Sequence, residues 1–323
     1  MKRISQLLLS LLLTASASLV FAASTYPDKP LKILVGFPAG QATDSVARLV
    51  AERLSRALSQ PVIVENRPGQ GGSLALAQLA RAAPDGYQMM LSATASLVTN
   101  PHLYKNVGYD TLKDFEPIGL LADLPLVLVA TATAPFNTPQ EFLAYAKANP
   151  DKLNYSSSGN GTLSHLAMEL LQREKKISLT HVPYKGSPRA MADLVAGNVS
   201  VGFDTVAVTK ALIDAKRLKL LAVALPERMA LLPDTPTMIE SGVPDFVASA
   251  WLGMVFPKGT PTDIVNKMNT EIAKVIAQPD IQKSLQAIGA IPLSSSVSEF
   301  AALLKSDYAK WGEIVRESGA SVD

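Results

Sequence analysis

The chain has no cysteine among its 323 residues. That excludes disulfides, a thiolate nucleophile, thiolate-bound zinc and a lipid-carrying cysteine near the N-terminus. Histidine is nearly as scarce. His102, His165 and His181 share no i, i+4 spacing and belong to no HExxH pattern, so no metal is expected. G-x-S-x-G, Walker A and S-x-x-K elements are also missing, and aromatic residues make up only 6%. Beyond the first 22 residues no stretch is long and apolar enough to cross a bilayer.

Excess charge is lacking too. Lys2 and Arg3 are the only charged side chains in residues 1–22, and the remainder carries 28 basic and 28 acidic groups. A balanced chain gives no electrostatic reason to expect nucleic acid or anionic lipid as a partner.

What is present begins with those 22 residues. Lys2 and Arg3 precede an apolar run from Leu7 through Val20, and Val20-Phe21-Ala22 offers small residues at signal-peptidase spacing. A membrane anchor is the alternative, but the run is short and the polar, Pro-containing stretch 24–30 follows it. The pattern predicts a cleaved signal over residues 1–22 and a protein free in the periplasm, with no lipid anchor.

The rest alternates strand and helix patterns, which predicts an α/β architecture with largely parallel sheets. Leu31–Phe37 reads as a buried strand. A helix over about 43–58 follows, with Val46, Leu49, Val50, Leu54 and Leu58 at helical spacing. A strand at Pro61–Glu65, a helix over 73–82 and a strand at Tyr87–Leu91 continue the series. A second series has strands near 153–157, 180–184, 199–204 and 219–225, with helices near 163–174, 188–196 and 206–214. Thr138-Pro139 and Thr260-Pro261 read as N-cap and N1 pairs, and Ser296 with Glu299 as a capping box opening a helix over about 297–317. That helix carries an apolar stripe of Phe300, Leu303, Leu304, Tyr308, Trp311 and Ile314.

No linker separates two consecutive domains. Two apolar segments, Leu124–Thr131 and Trp251–Pro257, read instead as strands crossing between them. The expected division is residues 23–123 plus 246–323 for domain 1, with domain 2 inserted over 124–245.

One device occurs twice. Strand 31–37 runs into Pro38-Ala39-Gly40-Gln41-Ala42-Thr43-Asp44, and strand 153–157 into Ser158-Gly159-Asn160-Gly161-Thr162-Leu163-Ser164. Each is a strand, a small-residue turn, a hydroxyl and a helix. Helix N-termini offer unpaired N–H donors and a positive dipole end, which together suit an anion. Either turn alone could serve only to cap its helix. Two of them at carboxyl ends of strands in different domains favour a ligand site. Phe37 is a candidate cleft wall or a core residue, and Lys185 a cleft cation or a solvated one. Asp204 could accept from ligand, water or a neighbouring loop. His165 could face the cleft or serve the surface. Asn66-Arg67-Pro68-Gly69-Gln70-Gly71-Gly72 reads as a structural turn.

These segments resemble the extracytoplasmic solute receptors of tripartite tricarboxylate transporters, the Bug receptors. The similarity is carried by Tyr26-Pro27-Asp28-Lys29-Pro30, Phe37-Pro38-Ala39-Gly40 with Asp44, and Asn66-Arg67-Pro68-Gly69 with Gly71-Gly72. It continues through Pro84-Asp85-Gly86-Tyr87, Ser158-Gly159-Asn160-Gly161-Thr162 with Ser164-His165, His181-Val182-Pro183-Tyr184-Lys185-Gly186, and Phe203-Asp204. The resemblance implies a bilobed, periplasmic-binding-protein-like fold (Venus flytrap, type II-like) that binds organic acids, often dicarboxylates, aromatic acids or amino acids. Gln41 departs from the resemblance, standing where a second glycine is common.

The expectation is therefore a receptor, not an enzyme, with no cofactor. It acts as a monomer, captures a small organic carboxylate by hinge closure and delivers it to membrane permease subunits. Expected ligand contacts are Phe37, Ala39, Gly40, Gln41 and Asp44 from one lobe, and Ser158, Gly159, Gly161 and Thr162 from the other, with Thr94, Lys185 and Asp204 beside them. Backbone N–H groups of the two turns are expected to hold the carboxylates. An acid–base enzyme using Asp44 or His165, and a sensor for a membrane kinase, are the competing readings.

Overall fold

The structure, a computed structural model, describes residues 26–318. The expected signal segment and the Ile314 side chain of the C-terminal stripe lie outside the described residues.

The first sheet is built around β1 (Leu31–Val35), parallel to β2 (Val62–Asn66) on one side and β3 (Gln88–Ala93) on the other. Next to β3 runs β9 (Ser249–Pro257), antiparallel, and then β4 (Phe115–Thr131), antiparallel to β9. The two-residue β10 (Ile291–Pro292) pairs with β4. Strand side chains alternate between faces, so each strand supplies two cores. Leu31, Ile33 and Val35 point to one side, where α1 (Ala42–Leu58), α8 (Thr262–Ile276) and α9 (Pro279–Ala287) bury Val46, Val50, Leu54, Met268, Ile272 and Ile281. Leu34, Met90 and Val255 point to the other, against α2 (Ser73–Leu79) and α10 (Val297–Ser318), where Leu76, Leu79, Phe300 and Leu304 are buried.

The second sheet takes over the last residues of the same β4. Leu126–Ala130 pair with β7 (Val201–Thr205) on one edge, and Val127–Thr131 with β8 (Leu218–Val223) on the other, both antiparallel. Beyond β7 lie β5 (Asn154–Ser157) and β6 (Thr180–Pro183), parallel. Alternation again divides the cores. Leu126, Leu128 and Ala130 meet α4 (Pro139–Ala148) and α5 (Leu163–Lys175), while Val127 and Val129 meet α6 (Ser187–Ala196) and α7 (Val206–Asp214).

Three details differ from expectation. β4 begins nine residues before the apolar segment that announced it, because Glu116, Pro117, Gly119 and Asp123 dilute its first half and the register shifts twice there. Helix α8 starts one residue late: Pro261 is its N-cap, and the Thr260 hydroxyl donates to the Pro257 carbonyl (2.8 Å) instead of capping. Helix α9 was not anticipated. The other two caps form as expected, with Glu141 N–H donating to the Thr138 hydroxyl (3.1 Å), and Ser296 and Glu299 bonding reciprocally.

The remaining short pieces sit at the strand ends that face the second sheet. They are a 3-10 turn (Gln70–Gly72), a π-helical turn (Ala95–Thr99) and α3 (Asn100–Leu103).

Candidate functional site

The first turn leaves β1 and enters α1. Asp44, in the first turn of that helix, ties the whole segment together. Its Oδ2 accepts from the Gly40 N–H (2.9 Å) and Arg48 Nε (3.0 Å), and its Oδ1 accepts from Asn66 Nδ2 (2.9 Å) and faces Arg48 Nη2 (2.9 Å). Asn66, at the end of β2, also donates to the Phe37 carbonyl (2.9 Å). Burial alone would raise the Asp44 pKa, but the bonds from Arg48, Gly40 and Asn66 outweigh it and hold the carboxyl below its usual range.

The second turn, between β5 and α5, is held without charge. Ser164 Oγ accepts from the Ser158 N–H (2.9 Å) and lies 3.0 Å from Ser158 Oγ and 2.9 Å from Thr162 Oγ1. The Thr162 hydroxyl donates to the Gly159 carbonyl (2.7 Å). Beneath the turn His165 stacks on His181 (4.2 Å, 7°), and His181 on Tyr155 (4.6 Å). Gly161 N–H donates to His165 Nδ1 (3.2 Å), which places that ring's proton on Nε2. Ser157 Oγ accepts from the Gly159 N–H (3.3 Å) and sits 2.7 Å from His181 Nε2. Desolvation lowers the pKa of both rings, and His165 adds to the effect on His181, which falls to about 4. Both imidazoles are neutral at pH 7.

Between the turns lies an inner cavity of about 50 Å³. Phe37, Gln41 and Thr43 line it from the first sheet's side. Ser158, Thr162, Ser164, Asp204 and Thr205 line it from the second, and Leu124, Leu126 and Ala250 form its floor at the crossing strands. The helix starts of α1, α5 and α7 all contribute to its wall, so three positive dipole ends converge there. No lysine or arginine is among the lining residues.

Gln41 reaches across. It is 8% exposed, and its Oε1 accepts from the Ser187 N–H (3.4 Å) at the start of α6. Gly186 makes that approach possible: a Cβ there would sit 2.6 Å from Pro38 Cγ, and its φ of 118° suits glycine. Asp204, at the end of β7, accepts on Oδ1 from the Ser187 hydroxyl (2.9 Å) and the Thr205 N–H (2.8 Å). Its Oδ2 is buried and has no hydrogen-bond partner among the described residues; the Thr205 hydroxyl is buried beside the carboxyl. Burial pushes the Asp204 carboxyl up to about 6.

An outer cavity of about 570 Å³ shares Phe37 and Ser158 with the inner one. Pro38, Gly71, Tyr104, Asn160 and Lys185 are among its walls, and the Tyr104 hydroxyl closes one side by donating to the Asn160 carbonyl (3.0 Å). A larger, mainly apolar groove of about 870 Å³ lies elsewhere, between residues 225–231 and the α9–β10 segment. It is open and has no converging helix starts, so size alone does not make it the site.

Of the residues expected at the ligand, Phe37, Gln41, Ser158, Thr162 and Asp204 line the inner cavity, and Gly159 and Lys185 the outer one. The others lie outside both. Ala39 and Gly40 are exposed, and the Gly40 N–H is bonded to Asp44. Asp44 spends both oxygens inside its own turn. The Gly161 N–H goes to His165, and the Thr94 hydroxyl donates to the Trp251 carbonyl (3.1 Å). The glycine N–H groups proposed as carboxylate donors are thus bonded within their turns at Gly40, Gly159 and Gly161. Sequence reasoning passed over Thr43, Ser164 and Thr205 as contacts. Each is a hydroxyl at a strand–helix junction, which was the available signal.

Residues 46–320 match the model of the tripartite tricarboxylate transporter family receptor. The chain belongs to that family. Three solved structures are similar over nearly their whole length. The periplasmic binding protein BugD shares 37% identity over 92% of this chain and 99% of its own, with a TM-score of 0.87. Rpa4515 of R. palustris with adipate shares 32% over 92% and 99%, TM-score 0.89. MatC of Rhodopseudomonas palustris with bound malate shares 32% over 90% and 100%, TM-score 0.84. The fold is that of the periplasmic binding proteins, and the family is one of solute-binding receptors, not enzymes. Among the described residues no helix is long and apolar enough to cross a membrane.

Proposed function

We propose that this chain is an exported periplasmic receptor that captures a small organic carboxylate between its two lobes and presents it to membrane permease subunits. The supporting observation is the inner cavity, where three helix starts meet the side chains of Thr43, Ser158, Thr162 and Ser164 without a cation. Helix N-termini and hydroxyls hold a carboxylate directly or through water, at little desolvation cost to the protein. The carboxylate head occupies the inner cavity, and the rest of the solute extends past Phe37 and Ser158 into the outer one. Adipate and malate in the related receptors support this class of ligand.

The lobes are residues 23–123 with 246–323, and the inserted 124–245, joined at β4 and beside β9. Hinge closure brings Gln41 to Ser187 and Tyr104 to Asn160, and the receptor acts as a monomer. Calorimetry with a panel of carboxylates against neutral sugars and amides tests the assignment. At least one carboxylate is expected to bind, and small-angle scattering should show a smaller radius at saturation. Binding confined to neutral solutes would overturn it.

A further inference from the structure

An anion site without a cation contains one buried carboxyl of its own, and this conflict points to the ligand's chemistry. Asp204 is 4% exposed and lines the inner cavity. One of its oxygens is satisfied twice, by the Ser187 hydroxyl and the Thr205 N–H, so its orientation is fixed. The other oxygen, Oδ2, is buried with no partner among the described residues, and the Thr205 hydroxyl is buried one residue away. Buried polar groups in folded proteins are nearly always paired, and an unpaired carboxyl oxygen is among the costliest exceptions. A plain carboxylate placed beside it would add repulsion between two like charges.

Resting on the carboxylate reading above, we propose that Asp204 Oδ2, with the Thr205 hydroxyl beside it, is the subsite for a hydrogen-bond donor on the ligand. The receptor's solute is then a carboxylate bearing a hydroxyl or an ammonium group next to its acid head. Such a group turns the repulsion into a bond: the hydroxyl or ammonium donates to Oδ2, while the adjacent carboxylate takes the helix starts and the hydroxyls of Thr43 and Ser158. Burial pushes the Asp204 carboxyl up to about 6, and the bonds from Ser187 and Thr205 do not offset it. Asp204 is in this sense a specificity-determining residue. A site built around a buried acceptor rejects the analogue that cannot pair with it more strongly than an apolar pocket rejects a missing methylene.

The test is calorimetry at pH 7.5 on protein purified from the periplasm, using matched acids that differ only at the carbon next to the carboxylate. Propionate, lactate and alanine form one set; succinate, malate and aspartate a second; 3-phenylpropionate, 3-phenyllactate and phenylalanine a third. In at least one set the substituted acid is expected to bind about 10-fold tighter or more than its unsubstituted parent. Asp204→Ala should bring that ratio to within about 2-fold of one, with circular dichroism confirming the fold. Asp204→Asn separates the two donors, because it should abolish an ammonium preference and retain most of a hydroxyl preference. Thr205→Val, which keeps the N–H to Asp204, should weaken the preference without erasing it. Equal affinity for parent and substituted acids, or a preference that survives Asp204→Ala, overturns the Asp204 assignment and leaves the carboxylate reading standing. Binding of no acid in any set overturns both.

Discussion

Asp44 and Asp204 invite comparison. Both lie at the carboxyl end of a strand where a helix begins, one in each lobe, and they are 2% and 4% exposed. Their pKa values nevertheless move in opposite directions. Asp44 meets Arg48, Asn66 and the Gly40 N–H, which use both of its oxygens. Asp204 meets only neutral donors, from Ser187 and Thr205, and its Oδ2 has no partner among the described residues. Desolvation raises both carboxyls; at Asp44 the charged Arg48 together with Gly40 and Asn66 outweighs it, and at Asp204 the neutral donors Ser187 and Thr205 do not. The first holds its turn in place, and the second is left with capacity that the fold does not use.

Replacing each by asparagine should break the comparison most sharply. Asp44→Asn keeps one acceptor where two are used, and is expected to cost about 2–4 kcal/mol of unfolding free energy at pH 7, read by urea titration. A loss under about 0.5 kcal/mol would mean that the turn is held by other contacts.

Asp204→Asn should act in the reverse direction. A carboxyl whose folded pKa is raised favours the native state fully below its unfolded value of 3.8, and that contribution is lost as pH rises through about 6. The variant should therefore stabilise the ligand-free protein by roughly 1–3 kcal/mol at pH 8, with the gain vanishing near pH 4. Equal stability at pH 8 would show that Oδ2 is already satisfied.

Acidification should then distinguish the turns themselves. His165 and His181 have lowered pKa values, so the stability they confer is present above 6.5 and is lost as pH falls toward about 4 for His181. Asp44, also lowered, keeps its contribution until pH drops below 3.8. Between pH 6.5 and 4 the second turn should weaken while the first stays intact. His181→Phe, which preserves the stack, is expected to flatten about 1–2 kcal/mol of that slope. An unchanged slope would mean that the rings protonate without cost.

The smallest effect is expected at Gln41, where a 3.4 Å bond to Ser187 joins the lobes. Gln41→Ala should cost under about 1 kcal/mol in thermal unfolding and enlarge the radius of the ligand-saturated protein in solution scattering. A cost above about 2 kcal/mol would assign Gln41 to packing rather than to bridging.

Much of this was legible in the sequence, for physical reasons. The strand–helix alternation follows from apolar periodicity, and both turns were visible as glycines and hydroxyls at the ends of strands. Phe37, Ser158 and Asp204, read from the sequence as ligand contacts, line the inner cavity. What the residues could not reveal was where each donor is spent. That the Gly40 N–H goes to Asp44 and the Gly161 N–H to His165 depends on side chains folding back by four residues. The free oxygen of Asp204 depends on Ser187, 17 residues upstream. The first half of β4 was hidden because its polar residues and bulges imitate a loop.

That strand sets a limit on how the lobes can move. Near Asp123 it is bonded to Trp251 on one edge and Ile291 on the other, and near Val127 to Asp204 and Val223. Leu124 and Pro125, between those points, keep partners in β9 along one margin only, at Ala250 and Ser249, so the strand resists shear along its axis more than bending. In the closure proposed above, the lobes would swing and twist about this strand and the neighbouring residues 246–248 rather than slip past each other. The same geometry would return Gln41 to the Ser187 N–H at each closure.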